Sequence, residues 1–229
     1  MVLSPTLLVA FLGGIVPALL WLAYWLFEDR CEPEPKTYLF MTFVLGGLMV
    51  APVLYIEEFA AGALAGTTLL IAWALTEELA KFGAALLGGL MWSVFDEPLD
   101  AIIYMVTAAL GFSAIENALF LFGTLSQGSA LQAAVTGDLR FVGATLLHTL
   151  ASSVIGLSLA LTYFKSVGIR RLAVVGGVIL AAALHTLFNF LILGQGSDAT
   201  FWVFLCIWFG IIAVLLLTER VKIPSRDYC

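Results

Sequence analysis

Seven apolar runs, each about 20 residues long or longer, follow one another along this chain with short polar connections between them. The runs lie near residues 5–27, 37–56, 67–92, 99–123, 139–164, 171–193 and 199–218. About 20 apolar residues is the length that an α-helix needs to cross a bilayer. The chain is 62% hydrophobic and 11% charged, which is more apolar surface than a soluble domain of 229 residues can bury. The sequence therefore predicts an all-α, multi-pass membrane protein of about seven transmembrane helices, forming one integral membrane domain over residues 1–229.

The basic residues are divided unevenly between the two predicted sides of the membrane. With seven spans, eight of the ten lysines and arginines fall on one side, Arg140 falls near the other, and Lys81 lies within the membrane. Because cytoplasmic loops are enriched in basic residues, this asymmetry places the N-terminus outside and the C-terminus in the cytoplasm. No basic stripe suits a phosphate backbone, so we expect a lipid bilayer as a partner and no nucleic acid. The expected location is the cell membrane.

Ionisable and amide side chains interrupt the third to the sixth apolar run. They are Glu77, Glu78 and Lys81 in the third run, Glu116 and Asn117 in the fourth, His148 in the fifth, and His185 and Asn189 in the sixth. A charged side chain near the bilayer centre costs several kcal/mol on insertion scales, and such groups usually face a cavity or pair with one another. Both histidines of the chain are in this set. We therefore expect these residues to form a site.

Glu77, Glu116, His148 and His185 are predicted to lie at one depth in the membrane. With the orientation given above, each is seven to ten residues from the outer end of its run. At about 1.5 Å of rise per residue, all four lie roughly 10–16 Å below the outer surface. The helices between residues 67 and 193 are therefore predicted to enclose one polar, water-reachable pocket in the outer half of the bilayer.

Helical spacing predicts an ion pair beside the two adjacent glutamates. Lys81 follows Glu77 by four positions and Glu78 by three, so its ammonium is able to neutralise either carboxylate. The alternative for such a pair is a purely structural role, and Asn117 is equally able to join two helices by hydrogen bonding.

The two histidines have polar neighbours at helical spacing. His185 and Asn189 are four positions apart and share one face of a helix. Ser152 follows His148 by about one turn, and Thr145 precedes it by nearly one turn. Either hydroxyl is a candidate hydrogen-bonding partner for the second ring nitrogen of His148. A lone membrane histidine is most often a hydrogen-bonding partner between helices, which is the structural alternative here.

Glutamate, histidine and asparagine, without a serine or cysteine nucleophile in a recognisable motif, suit the activation of water. A partly dehydrated carboxylate is able to take a proton from water, and Asn189 with a histidine is able to stabilise the oxyanion. The alternative is water activated by a metal such as zinc. The candidate ligands are Glu78, Glu116, His148 and His185, although no HExxH motif is present. The residues leave both mechanisms open, and we favour the glutamate mechanism without a cofactor.

Four short motifs resemble those of the PrsW family of intramembrane proteases and stand in the order that the family shows. They are "TEELAKF" (76–82), "GFSAIEN" (111–117), "LLHTL" (146–150) and "LHTLFN" (184–189). The first looks like the EExxK motif of that family. The layout is also similar to that of the CAAX-protease and bacteriocin-processing enzymes, which pair EExxxR with two later histidines and HxxxN. Lys81, three positions after Glu78, favours the PrsW branch.

The resemblance implies an intramembrane endopeptidase that cleaves membrane-anchored proteins, such as anti-sigma factors, on the outer side of the membrane. The partner that it implies is a transmembrane protein substrate. The residues that it implies to be catalytic are Glu77, Glu78, His148, His185 and Asn189, with Asn189 as oxyanion donor and the histidines catalytic or metal-binding. The supporting residues are Lys81, Glu116 and Asn117.

Three other functions use the same composition. A proton- or ion-coupled transporter would relay protons through the Glu/His cluster, but no broken helices occupy matching positions in two halves of the chain. A retinal protein would carry a lysine late in the chain, and the seventh run has none. A structural role is the third alternative.

Overall fold

The computed structural model describes residues 4–28, 32–128, 143–194 and 197–222, and every regular element in these ranges is helical. The α-helices are α1 (Pro5–Glu28), α2 (Lys36–Leu48), α3 (Val50–Ala61), α4 (Gly66–Ala85), α5 (Pro98–Ser126), α6 (Thr145–Leu161), α7 (Val167–Gly194) and α8 (Ser197–Val221), and a π-helical segment (Leu86–Leu90) continues α4. Among the described residues, five helical segments are long and apolar enough to cross a membrane. They are Pro5–Phe27, Lys36–Ala61, Pro98–Ser126, Val167–Ile192 and Phe201–Val221. The prediction of an all-helical, multi-pass membrane protein is confirmed.

The other two predicted spans correspond to α4 and α6. Helix α4 has 20 residues, about 30 Å of rise, but three ionisable residues interrupt its apolar sequence. Helix α6 is apolar and has 17 residues, and residues 139–142 of the predicted run lie outside the described residues, as does Arg140. The count of seven spans and the orientation therefore stay predictions.

The second predicted span is one apolar segment divided into α2 and α3 at Met49. Pro52 explains the division, because a proline has no N–H to donate and its ring clashes with the carbonyl four residues earlier, here that of Leu48. The predicted end at residue 56 was too early, since α3 continues to Ala61 and includes Glu57. The predicted run ends just before Glu57 and Glu58, because acidic residues are typical of a connection between spans. In the structure both residues lie on the last turns of α3.

Helix α5 is the central helix of the described bundle. Its span is 94% buried, whereas the other four candidate spans are 22–28% buried. Glycines allow α2 to approach it at backbone distance. A Cβ atom on Gly111 would lie 2.0 Å from the carbonyl oxygen of Phe43, and one on Gly46 would lie 2.1 Å from that of Ala108. Small residues of this kind are the usual means of close helix packing in membranes.

The start of α5 is fixed by its own sequence. Pro98 occupies the first turn, and Glu97 and Asp100 form a reciprocal capping box in which the Glu97 N–H donates to Asp100 Oδ2 over 2.8 Å. One and a half turns on, the Tyr104 hydroxyl donates to the Glu34 carboxylate ahead of α2.

The helices that carry the polar residues are neighbours in the bundle. Helix α6 packs against both α5 and α7, and α4 packs against α7, α5 and α6. The four predicted site helices thus surround one region of the interior.

Candidate functional site

Glu78 is completely buried, and three donors hold its carboxylate. Its Oε1 accepts hydrogen bonds from Lys81 Nζ at 2.7 Å and from His185 Nδ1 at 2.9 Å. Its Oε2 accepts one from Ser152 Oγ at 3.0 Å. Ser152, one of the two candidate partners of His148, thus bonds to Glu78 on α4 instead.

Lys81 is also completely buried, and its ammonium lies at the centre of the cluster. Besides Glu78, Nζ contacts His148 Nδ1 at 2.8 Å and Glu77 Oε2 at 3.2 Å. The ammonium therefore has two hydrogen-bonding partners, Glu78 and His148, and an ion-pair contact with Glu77. The ammonium also lies 4.8 Å from the centroid of the Phe112 ring, within the range of a cation–π contact. The predicted pairing of the lysine with both glutamates is present.

His148 is held by a donor on one side and an acceptor on the other. An ammonium only donates, so Nδ1 must carry the lone pair and Nε2 the proton. Nε2 lies 3.0 Å from Glu116 Oε2, to which it donates. The predicted alternative partner, Thr145, instead accepts a hydrogen bond from Asn117 Nδ2 at 2.9 Å. Asn117 thus joins α5 to α6, which is the structural role considered for it.

Glu77 lies between the two histidines. Its Oε1 is 3.7 Å from His185 Nε2, and its Oε2 is 3.7 Å from His148 Nδ1. Oε2 accepts no well-aligned hydrogen bond from any described residue, so its contact with Lys81 is an ion pair without hydrogen-bond geometry. The imidazole rings are 5.1 Å apart and almost perpendicular. One ligand atom from each of Glu77, His148 and His185 lies within 4.8 Å of the other two.

This trio differs from the ligand set expected from the sequence, which included Glu78 and Glu116 instead of Glu77. Each of those two glutamates binds one histidine through the nitrogen that points away from the trio. Metal-binding histidines usually donate their other N–H to a carboxylate in this way, which fixes the tautomer and the ring orientation. Two histidines and a glutamate are also a common catalytic zinc set. The residues therefore fit a divalent metal ion.

The charge of the cluster points in the same direction. Counted formally, with the three carboxylates of Glu77, Glu78 and Glu116 ionised, Lys81 protonated and both histidines neutral, the cluster has a charge of −2. One divalent cation would bring the cluster to neutrality. Buried charge is costly unless it is compensated, so a cation suits this position.

Two further residues bear on the site. Asn189 lies one turn beyond His185 on α7, is half-buried, and makes no hydrogen bond with any described residue. Glu57 on α3 interacts electrostatically with Glu77 and Glu116. The sequence did not identify Glu57 because its position was assigned to a connection. It lies 20 residues before Glu77 on a different helix, so helical spacing does not indicate that the two residues are neighbours.

An apolar groove of about 590 Å³ runs between α4 and α7. Ile71 and Leu75 line it from α4, and Glu78 follows them on the same face at seven and three positions. On α7, the lining residues Ala182 and Thr186 flank His185 in sequence. The groove thus borders the two helices that carry the core of the cluster.

A cluster of glutamates and histidines buried among the helices of a multi-pass membrane protein is chemically suited to a membrane-embedded enzyme that activates water. Residues 34–217 match a family described as "PrsW family intramembrane metalloprotease". The chain belongs to this family, and it is an intramembrane peptidase that acts on protein. The resemblance seen in the four motifs is confirmed, and the transporter alternative is not favoured.

Individual relatives agree with the family. A protein named "Protease PrsW" from Geobacillus kaustophilus is 27% identical over 187 residues, covering 80% of this chain and 79% of that protein. Another of that name, from Bacillus subtilis, is 25% identical over 208 residues, covering 87% and 91%. A third, from Oceanobacillus iheyensis, is 32% identical over 113 residues, about half of each chain. No solved structure matches the chain.

Proposed function

We propose that this protein is a metal-dependent intramembrane endopeptidase, in which Glu77, His148 and His185 bind one divalent ion, with zinc the best match to the donor set. The observation that carries the proposal is the convergence of three ligand atoms within 4.8 Å of one another, with a glutamate on the far nitrogen of each histidine. A divalent ion held there would acidify water and polarise the scissile carbonyl.

The remaining residues have supporting tasks in this proposal. Glu78 accepts a hydrogen bond from the His185 Nδ1–H, so the Nε2 lone pair faces Glu77. Glu116 does the same for His148 and leaves its Nδ1 lone pair on the side of Glu77. Glu78 is fully buried and surrounded by three donors. We therefore assign it the role of orienting His185 and not of contacting water.

Asn189 is the proposed donor to the oxyanion that forms when water attacks a peptide carbonyl. Its amide is one turn from His185 on the same face of α7, and it is not engaged with any described residue. An amide donor placed at the developing charge is a usual source of transition-state stabilisation.

A metal-free glutamate peptidase is the second candidate, and Lys81 is the observation that favours it. The ammonium alone already pairs with both adjacent glutamates and with His148. In that mechanism Glu77 would take the proton from water, because its side chain is 8% exposed while that of Glu78 is fully buried. Metal content and activity, measured in the same purified sample, separate the two candidates.

We further propose that the transmembrane segment of a substrate protein reaches the site through the groove between α4 and α7. A bulky side chain in the groove would then block the substrate but not the metal. We expect Ala183→Trp to lower kcat/KM by about tenfold or more, through lost binding of the substrate segment. The measurement is cleavage of a membrane-anchored reporter in proteoliposomes.

The matched control is Leu180→Trp, which places the same side chain at an exposed position on α7 outside the groove. It should leave kcat/KM unchanged. Equal activity of the two variants would exclude this groove as the path of the substrate.

The membrane topology is also a proposal, namely seven spans with the N-terminus outside and α4 to α7 as the catalytic helices of a single domain, residues 1–229. In a variant without Cys31, Cys206 and Cys229, a cysteine introduced between residues 194 and 198 should react with a membrane-impermeant maleimide on intact cells. The control Ser166→Cys should react only after permeabilisation. The reverse pattern would overturn the orientation.

A further inference from the structure

The Lys81 ammonium contacts two of the three residues that would hold the proposed metal ion. Nζ lies 2.8 Å from His148 Nδ1 and 3.2 Å from Glu77 Oε2. Both residues belong to the ligand trio. The lysine is completely buried, and both distances are too short for a water molecule to lie between the ammonium and these two atoms.

The contact with His148 excludes simultaneous binding of a metal at the same nitrogen. Nε2 carries the proton that is donated to Glu116, so Nδ1 holds the only lone pair in the plane of the ring. An N–H donor and a metal ion use that lone pair in the same direction. Only one of the two, the ammonium or the metal ion, is able to use the Nδ1 lone pair at a time.

We propose that Lys81 is an internal cation that competes with the metal ion for this site. In the metal-free protein it holds Glu77 and His148 in place and compensates buried negative charge. When the metal binds, the ammonium gives up His148 Nδ1 and keeps its contact with Glu78, which is three positions away on the same helix and lies outside the ligand trio. This inference rests on the proposed metal site and assigns Lys81 a positioning role.

The competition predicts that removing the ammonium tightens metal binding. The full-length chain is purified, stripped with a chelator, and titrated with Zn²⁺ in competition with a chromophoric chelator, and with Co²⁺ followed by its absorption bands. We expect Lys81→Met to bind Zn²⁺ about tenfold more tightly or better than the unsubstituted chain, because a competing charge is gone. Lys81→Arg, which retains a cation, should stay close to the unsubstituted chain.

The same variant should be less stable without metal. Lys81→Met leaves buried carboxylates without their counter-ion, so we expect its metal-free form to unfold about 10 °C lower than the unsubstituted chain. Saturating Zn²⁺ should recover most of this difference, giving a larger metal-induced rise in Tm than in the unsubstituted chain. The control Lys165→Met removes an exposed lysine and should change neither Tm nor zinc affinity.

Equal or weaker zinc binding by Lys81→Met would overturn the inference, since a lysine that supports the metal-bound state would give that result. If the variant does not fold, a metal-loaded structure of the unsubstituted chain decides the question. Nζ beyond hydrogen-bond distance of His148 Nδ1 is expected, and Nζ still bonded to it with the metal present would contradict competition. A chain that binds no metal and remains active would instead refute the proposed function.

Discussion

Glu77→Gln is expected to reduce peptide hydrolysis to background, a loss of roughly a thousandfold or more, while the protein still inserts and folds. Glutamine has the same shape but lacks the negative charge that attracts a divalent ion. The same substitution also removes the proton acceptor of the metal-free mechanism, so the loss is expected in both. The measurement is cleavage of a membrane-anchored reporter in proteoliposomes, together with zinc content.

Glu78→Gln is expected to abolish hydrolysis for a different reason. The amide no longer matches the three donors around it, and the tautomer of His185 is no longer fixed. Losses of this kind typically weaken metal affinity by about 10- to 100-fold without removing it. Zinc content thus separates the two variants, because Glu77→Gln should lose its bound zinc and Glu78→Gln should bind zinc more weakly.

The matched control is Glu58→Gln, which neutralises an exposed glutamate on α3 and should leave turnover unchanged. Full turnover of Glu77→Gln or of Glu78→Gln would remove that residue from the site. Loss of activity in all three variants would indicate a general effect of lost charge on folding.

The sequence predicts the meeting of the polar residues because the physics of the membrane limits what they can do. Ionisable groups at one depth on neighbouring helices are costly in lipid, so pairing is the stable outcome. The structure accordingly places His185 Nδ1 2.9 Å from Glu78 Oε1 and His148 Nε2 3.0 Å from Glu116 Oε2.

The sequence does not predict which partner each group takes. Ser152 and Thr145 both lie about one turn from His148, yet they bond to Glu78 and Asn117. Spacing along α6 fixes only which side chains share a face. The rotation of that helix against α4 and α5 decides which neighbour each hydroxyl meets.

The sequence also does not predict which of the two adjacent glutamates is the ligand and which orients a histidine. Glu77 and Glu78 point about 100° apart on α4, and either is able to face the histidines. The packing of α4 against α7 turns Glu77 toward His148 Nδ1 and His185 Nε2. It turns Glu78 toward the other ring nitrogen of His185, Nδ1. Ligand and orienting residue are therefore distinguished only once the helices are assembled.

Removal of the metal is the second change with a large expected effect. The proposed ligand trio comprises Glu77, His148 and His185, and each histidine is already held in the tautomer that leaves a lone pair on the side of Glu77. Catalysis should then depend on the ion, so chelation with 1,10-phenanthroline should abolish cleavage, and added Zn²⁺ should restore it. His148→Ala should neither bind zinc nor recover activity.

The most direct test is the zinc content and the activity of the same purified sample, measured before and after chelation. The proposal predicts one zinc ion per chain, lost together with cleavage of the membrane-anchored reporter and regained together with it. Full cleavage by a chain that contains no metal would contradict it and would identify a glutamate peptidase.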